Sequence, residues 1–301
     1  MEQMSTLDGI KEIEKCIKSG QYPVVDEHLF DKVFDYKPSQ KAIEQKKWLL
    51  EEYNEYLDLL MSLPQDLLDA FLDVIKKYDI KDNQKLEKEQ EFLLDVQDVR
   101  LDRILPHAID FLCEVDDNLS SIGLQQAHGL LMEGTSNGSS NDYFYRKQNN
   151  KIVGAMVDGN REIYYIPPRV DDIEMLASKF LEFYNDEQLN KDIFTHPIMA
   201  HGLLATMQLF DDGNTRLARL LQHTKLYKQT NELLGYDFTA PIIYNTRTYY
   251  PERKKYRSFT IEMAKDANNE ILDEWNIYNY RLFLNQIYKN EEDVRRLTLI
   301  R

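Results

Sequence analysis

The spacing of apolar positions predicts helices through the first third of the chain. Residues 39–62 form a long, charged and leucine-rich stretch, and Pro64 after it is typical of the first turn of a further helix. Residues 81–103 are strongly polar and carry only a thin apolar stripe. We expect residues 1–118 to form a helical region with solvated, charged faces. In its second helix, apolar side chains recur at helical intervals at Leu67, Leu68, Phe71, Val74 and Ile75.

Near residue 135 the pattern changes to one typical of strands. A glycine- and serine-rich loop at 134–141 precedes two β-rich runs, 152–157 and 163–166, which flank Asp158-Gly159. An Asp-Gly pair between two such runs is a strong signal for a β-hairpin. The two prolines that follow end the second run, because proline cannot donate a ladder hydrogen bond. We therefore predict one hairpin, followed by helices to the end of the sequence.

A buried helix and a tight turn stand out in the C-terminal half. Residues 198–209 are almost continuously apolar, with His201 as the one exception that carries an ionisable side chain. A helix that is apolar on every side belongs in the interior of a domain. It ends at residues 210–214, and a second helix starts directly afterwards with Arg216 and Arg219 in its first turns. Free N–H groups and the helix dipole at such a start favour an anion, so the pattern predicts an anion site.

Composition and charge narrow the class of protein. Of 301 residues, 43% are hydrophobic and 30% are charged, which is typical of a globular protein. The net charge of −15 argues against binding to nucleic acid. Neither a membrane span nor a signal peptide is visible, so we expect a cytoplasmic protein. We expect the two cysteines, Cys16 and Cys113, to be reduced thiols.

None of the six histidines lies at a convincing metal-ligand spacing from a cysteine or a carboxylate. We interpret His201 as a structural histidine that satisfies its hydrogen bonds inside the core. His196, before Pro197, is interpreted as a residue at a helix start, and His223 as a partly exposed helical residue.

The segment from Gln208 to Arg219, QLFDDGNTRLAR, resembles the motif of the Fic family, H-x-F-x-[DE]-G-N-[GK]-R-x-x-R. Gln208 departs from it at the histidine position, and Thr215 departs where the family has Gly or Lys. The resemblance extends over roughly residues 120–290. Six positions agree in type and spacing: Phe210, Asp212, Gly213, Asn214, Arg216 and Arg219. Flanking similarities are Ala200-His201, Tyr145-Arg146, the 165–168 stretch and Trp275.

The resemblance implies a mainly α fold, in which a Fic-type helical core carries a small β-hairpin flap. An N-terminal helical region precedes this core. We divide the chain accordingly into an N-terminal helical region, residues 1–118, and a Fic-like domain, residues 119–301.

The resemblance also implies a reaction, the transfer of AMP from ATP to a hydroxyl of a target protein. Asp212 would hold Mg²⁺ on the phosphates. The flap would register the target protein by main-chain pairing. The implied nucleotide-binding residues are Gly213, Asn214, Thr215, Arg216 and Arg219, and the implied docking residues of the flap are Ile163, Tyr164, Tyr165 and Ile166.

Gln208 breaks this scheme at the general base, because a carboxamide does not take up a proton near neutral pH. The sequence therefore predicts a degenerate family member that binds ATP with Mg²⁺ and transfers AMP weakly or not at all. One alternative is an active protein adenylyltransferase that uses another base, and Asp211 is the nearest carboxylate in sequence. A second alternative is a scaffold without catalytic function that binds an unidentified protein.

Overall fold

The computed structural model describes seven stretches of the chain, and the statements below refer to them: residues 6–73, 101–115, 118–133, 144–149, 153–157, 160–229 and 250–299. Several features predicted from the sequence lie outside the described residues. These are the loop at 134–141, the hairpin turn Asp158-Gly159, the polar stretch up to residue 100, and Val74, Ile75 and Ile152.

Helices dominate the described part of the chain, and one antiparallel hairpin interrupts them. The N-terminal helices are α1 (Thr6–Ser19), α2 (His28–Phe34), α3 (Gln40–Met61), α4 (described at 65–73), α5 (Leu101–Glu114) and α6 (Ser121–Met132). The hairpin consists of β1 (Val153–Val157) and β2 (Asn160–Tyr165). Helices α7 (Ile173–Asn185), α8 (Thr195–Met207), α9 (Asn214–Gln229), α10 (Tyr250–Lys265) and α11 (Asn269–Leu299) follow, with short 3-10 turns at Val170–Asp172 and Leu189–Lys191. The predicted mainly helical fold with a small hairpin is confirmed.

Local sequence signals explain where several helices begin. The Ser39 hydroxyl accepts a hydrogen bond from the Ala42 N–H at the start of α3, at 3.2 Å. The Ser120 hydroxyl does the same for the Gly123 N–H at the start of α6, at 3.0 Å. Each serine satisfies one of the N–H groups that the first turn of a helix leaves without an intrahelical partner.

Helix α8 lies at the centre of the core. Every residue from His196 to Met207 is buried, as the apolar pattern predicted. Trp275 of α11, which is completely buried, donates a hydrogen bond from Nε1 to the Ile198 carbonyl at 3.0 Å. Helix α11 thus packs against the first turns of the predicted central helix, near Ile198.

The N-terminal region packs against the C-terminal helix α11. Tyr36 donates a hydrogen bond to the Asp273 carboxylate at 2.6 Å, and Tyr56 lies 3.4 Å from Asn290. One continuous cluster of buried apolar side chains includes residues from both sides of position 118. A division between residues 118 and 119 stays a prediction, and no break in this core marks it.

Within the described ranges, no helix combines the length and the apolar content that spanning a bilayer requires.

Candidate functional site

Helix α8 ends at Gln208 in a left-handed backbone conformation. Its φ and ψ are both 52°, and no other described residue besides glycine has a positive φ. The Gln208 side chain turns back to donate a hydrogen bond from Nε2 to the Ala205 carbonyl, at 2.6 Å. Carbonyls in the last turn of a helix lack intrahelical donors, so this side chain serves as a cap of α8.

Asn214 closes the turn between α8 and α9. Its Oδ1 accepts from the Phe210 N–H at 2.9 Å, and its Nδ2 donates to the Phe210 carbonyl at 2.8 Å. Nδ2 also lies 3.4 Å from the Gln208 Oε1. Only an amide side chain of this length offers a donor and an acceptor together, which explains asparagine at this buried position.

Gly213 fits a space that no other residue fits. Its φ is +76°, and a Cβ added to it would lie 2.6 Å from the Met132 sulfur and 3.1 Å from the His128 Nε2. Both the backbone conformation and the close approach of α6 therefore require glycine. The Gly213 N–H donates to the Asp212 Oδ1 at 2.7 Å.

His128 of α6 supports the turn from one side, and the sequence analysis did not identify it. Its ring stacks on Phe210 with centroids 3.8 Å apart and planes 9° apart. Its Nε2 donates to the Asp212 carbonyl at 2.8 Å, across 84 positions of sequence. A single histidine on an apolar helical face is common in protein cores, so the sequence carried no specific signal for this contact.

Arg146 joins the turn to the end of the hairpin. Its backbone N–H donates to the Leu209 carbonyl at 3.0 Å, and its Nε donates to the Gln208 carbonyl at 3.1 Å. Its remaining nitrogens donate to the carbonyls of Gln148 and Pro168. The guanidinium therefore holds carbonyls from the motif and from the flap in one set of hydrogen bonds.

Burial lowers the pKa of the Arg146 guanidinium to about 10, and the charge of Asp211 partly opposes this. Arg146 is 4% exposed, so it remains a buried cation at neutral pH. Tyr145-Arg146 was noted from the sequence only as part of the resemblance. The sequence did not predict the hydrogen bond from Arg146 to the Gln208 carbonyl, because the two residues lie far apart along the chain.

Two arginines and one carboxylate line the start of α9. Arg216 Nη2 and Asp212 Oδ2 form an ion pair at 3.4 Å, in which the Arg216 side chain is 14% exposed and that of Asp212 is 46% exposed. Arg219, one turn further along α9, is buried, and Thr215 is half-buried. The structure thus pairs Asp212 with Arg216 and places Thr215 and Arg219 on the first turns of the same helix. Their joint role in phosphate and metal binding stays a prediction.

The buried histidines are held in the neutral form. Burial lowers the pKa of His201 to about 4, the Arg219 charge lowers it further, and a hydrogen bond between Nδ1 and the Gln222 side chain opposes this. His223 is buried and not partly exposed, so that prediction is wrong. The reason is that α9 is enclosed on every face from Leu217 to Leu226.

The four flap residues differ in their surroundings. Ile163 and Tyr164 are half-buried, whereas Tyr165 and Ile166 are 1% and 2% exposed. The Ile166 N–H donates to the Pro23 carbonyl at 2.9 Å, and the Ile166 carbonyl accepts from the Val25 N–H at 3.0 Å. Their role in docking a target stays a prediction, and Ile166 already has its main-chain N–H and carbonyl engaged within the chain.

A divalent cation at this turn would meet the carboxylate of Asp212, which is 46% exposed. The described residues contain no group of three or more His, Cys, Asp and Glu side chains placed to hold a metal ion. Mg²⁺ is commonly bound by one or two carboxylates together with the phosphates of a nucleotide. The donor set of the turn fits that mode of binding and does not fit a cage made of protein ligands alone.

Comparison with known proteins adds a family to this geometry. Residues 118–226 match the family model described as the Fic/DOC family. The chain is also similar to a solved structure, a Fic family protein from Desulfovibrio desulfuricans G20, with a TM-score of 0.54 and 17% sequence identity. That match covers 84% of this chain and 76% of the other, and at this identity it establishes the fold alone. No curated protein matches the chain.

Proposed function

We propose that the chain, in which residues 118–226 match the Fic/DOC family model, binds a nucleoside triphosphate, ATP with Mg²⁺, at the turn from Gln208 to Arg219. We further propose that Gln208 leaves it with weak or no transfer of AMP to protein hydroxyls.

The observation that carries this proposal is the preformed turn between α8 and α9. Asn214 fixes its backbone through both atoms of its amide, and Gly213 keeps the left-handed conformation that opens α9. The first N–H groups of α9 have no intrahelical partner, and the helix dipole adds to their attraction for an anion. Arg216 and Arg219 in the next turns supply positive charge for the outer phosphates.

Asp212 and Arg216 would exchange partners when a nucleotide binds. In the structure they form an ion pair with each other. A bound Mg²⁺ would take the Asp212 carboxylate and neutralise charge on the phosphates, and Arg216 would pair with a phosphate oxygen in place of Asp212. The ion pair spans 3.4 Å and its Asp212 side is 46% exposed, so a cation has access to that carboxylate from solvent.

Gln208 supports the hypothesis of weak or absent AMP transfer in two ways. Its amide has no nitrogen that accepts a proton near neutral pH. Its two polar atoms are also engaged, Nε2 by the Ala205 carbonyl and Oε1 by Asn214. General-base assistance is worth roughly 10²–10⁴ in rate, so its loss removes most of the transfer activity while the phosphate site remains.

Calorimetry with ATP and MgCl₂ tests nucleotide binding. We expect saturable binding to the native chain that weakens at least about tenfold in Arg216→Gln, through the loss of a charge-assisted contact to phosphate. Arg169→Gln is the matched control, because Arg169 is an exposed arginine outside the motif. If the native chain does not bind ATP with Mg²⁺, the nucleotide proposal fails and the scaffold function becomes the better account.

Incubation with labelled ATP tests the missing base. The native chain should label neither itself nor proteins of a lysate, and Gln208→His should gain self-labelling of about 10²-fold or more. Gln208→Asn, an amide of different length, is the control and should stay inactive. Labelling by the native chain that Asp211→Ala abolishes would instead establish an active adenylyltransferase.

A further inference from the structure

The segment Pro23–Val25 pairs with the end of the flap like a short added strand. Val24 forms a parallel bridge with Ile166. Two hydrogen bonds make it, from the Ile166 N–H to the Pro23 carbonyl at 2.9 Å and from the Val25 N–H to the Ile166 carbonyl at 3.0 Å. Ile166 lies one residue beyond the last pair of the hairpin, Val153 with Tyr165. The strand β2 therefore continues with a new neighbour, which comes from the N-terminal region.

This pairing uses the same main-chain groups that a docked target strand would use at Ile166. An N–H has one proton to donate, and that of Ile166 is given to Pro23. An extended target that continued along the flap to Ile166 would find this donor taken. The two partners therefore exclude each other at this position.

Prolines limit the pairing to a single bridge. Pro23 has no N–H with which to add a rung upstream, and Pro167 and Pro168 have none with which to add a rung downstream. Two hydrogen bonds are the whole main-chain contact between the segment and the flap. A contact of this size opens more readily than a multi-rung ladder does.

The two ends of the segment Pro23–Val25 differ in their surroundings. Downstream, Val25 is buried in the core, and Glu27 forms an ion pair with Lys179 of α7 at 2.8 Å. Upstream, Gly20 ends α1 with a φ of +64°, and among the described residues other than its two chain neighbours none comes within 4 Å of the position of its missing Cβ.

We infer that Pro23–Val25 is a built-in strand that occupies the Ile166 end of the flap, and that an extended protein target has to displace it to pair there. The competition between this segment and a target protein rests on the proposed function, in which the flap docks a target protein. The pairing itself rests on the geometry alone. The occupant is this chain's own extended segment, and its competitor is an extended stretch of another protein.

Hydrogen–deuterium exchange on the full chain tests the pairing. Val25→Pro removes the N–H that donates to Ile166, and we expect the Ile166 amide to exchange about tenfold faster, the effect of one lost hydrogen bond. Val24→Pro is the matched control, because the Val24 N–H takes no part in the bridge. It should exchange like the native chain. Equal exchange at Ile166 in the two variants would overturn the proposal.

A peptide with the sequence of residues 20–26, added in trans and followed by NMR shifts of the Ile166 amide, tests the competition. It should bind Val25→Pro at least about tenfold more tightly than the native chain or Val24→Pro, because only that variant has a weakened partner in cis. Equal binding to all three proteins would show that segment and peptide do not share a site, and would overturn the proposal.

Two further measurements distinguish a failure of the pairing from a variant that does not fold and from a failure of the proposed function. If Val25→Pro does not fold, native-state exchange decides, since the Val25 and Ile166 amides belong to one bridge and should open with the same free energy. A difference of more than about tenfold between their exchange rates contradicts a common opening. Calorimetry with ATP and MgCl₂ on the same proteins tests the proposed function separately, so a chain that binds no nucleotide leaves the exchange and peptide results to decide this inference.

Discussion

Two left-handed glycines show how differently the motif turn and the N-terminal segment are held. Around Gly213, α6 approaches so closely that a Cβ would meet the Met132 sulfur at 2.6 Å. Around Gly20, apart from its chain neighbours, no residue that the structure describes comes within 4 Å of the same position. The motif turn is fixed by packing and by the amide of Asn214, whereas the segment after Gly20 meets the flap through two hydrogen bonds. The motif turn, which is the proposed phosphate site, is thus held by more contacts than the segment that pairs with Ile166.

Substitution of the two glycines by alanine should give the largest difference in unfolding free energy between the two regions. Gly213→Ala adds left-handed strain of roughly 1–2 kcal/mol and overpacking of roughly 1–3 kcal/mol, so the free energy of unfolding should fall by about 2–5 kcal/mol. Gly20→Ala is the matched control and should cost only the strain, about 1–2 kcal/mol. Urea unfolding of both variants measures the difference. Equal losses would show that Met132 and His128 do not restrict the turn.

Removal of the Arg146 guanidinium should affect both regions at once. Arg146→Met leaves the carbonyls of Gln208, Gln148 and Pro168 without a buried donor, so we expect a loss of about 2–4 kcal/mol in unfolding free energy. The amide of Ile166 should also exchange faster. Lys147→Met, at the exposed neighbouring position, should cost less than about 0.5 kcal/mol. If Arg146→Met lowers the unfolding free energy but leaves exchange at Ile166 unchanged, the hydrogen bonds of Arg146 do not stabilise the flap at Ile166.

Acid should weaken the helical core that carries the motif turn. Burial lowers the pKa of His196 and His201 to about 4 and that of His223 to about 3. Because these folded pKa values lie below the unfolded value of about 6.5, the unfolded chain binds more protons between pH 6.5 and 4. Stability is therefore retained above pH 6.5 and lost as the pH falls through this window.

Each of these histidines should contribute up to about 1.4 kcal/mol per pH unit to that slope. His201→Asn should lower the slope by this amount, measured as urea unfolding free energy from pH 4.5 to 7. His28→Asn, at a side chain that is 79% exposed, is the control for the substitution itself, and the slope of His201→Asn should be lower than that of this control. An unchanged slope in His201→Asn would mean that His201 is protonated equally in both states.

The smallest expected effect separates strain from capping at Gln208. Gln208→Ala and Gln208→Gly lose the same bonds to Ala205 and Asn214. Only the glycine variant relieves the left-handed backbone, so it should be more stable than the alanine variant by about 1 kcal/mol. Thermal unfolding of the pair measures this. A more stable alanine variant would show that Gln208 carries no backbone strain.

Local signals were enough to predict most of the fold. The even apolar pattern of residues 198–209 predicted the central helix, and Asp158-Gly159 between two β-rich runs predicted the hairpin. Both depend on neighbours within a few residues. The motif from Gln208 to Arg219 gathers at one turn because all of it lies in a single short stretch of chain.

The remaining parts of the site depend on contacts between distant positions. His128 meets Asp212 across 84 residues, and Arg146 meets Gln208 across 62. The burial of His223 was mispredicted because it depends on which helices surround α9, and the periodicity of α9 alone does not specify them. The bridge between Val24 and Ile166 was not foreseen either, since a single rung leaves no alternating pattern.

The packing of α3 on α11 has a consequence for synthesis of the chain. The buried side chains of α3, Leu49, Tyr53, Tyr56 and Leu60 among them, lie on a helix that packs along a partner spanning Asn269–Leu299. A ribosome adds roughly 5–20 residues per second, so α3 emerges on the order of ten seconds or more before its partner. During that interval the apolar face of α3 lacks the helix that covers it in the folded chain, so we expect a chaperone to bind it. The chaperone would be released when α11 has been translated and packs against α3.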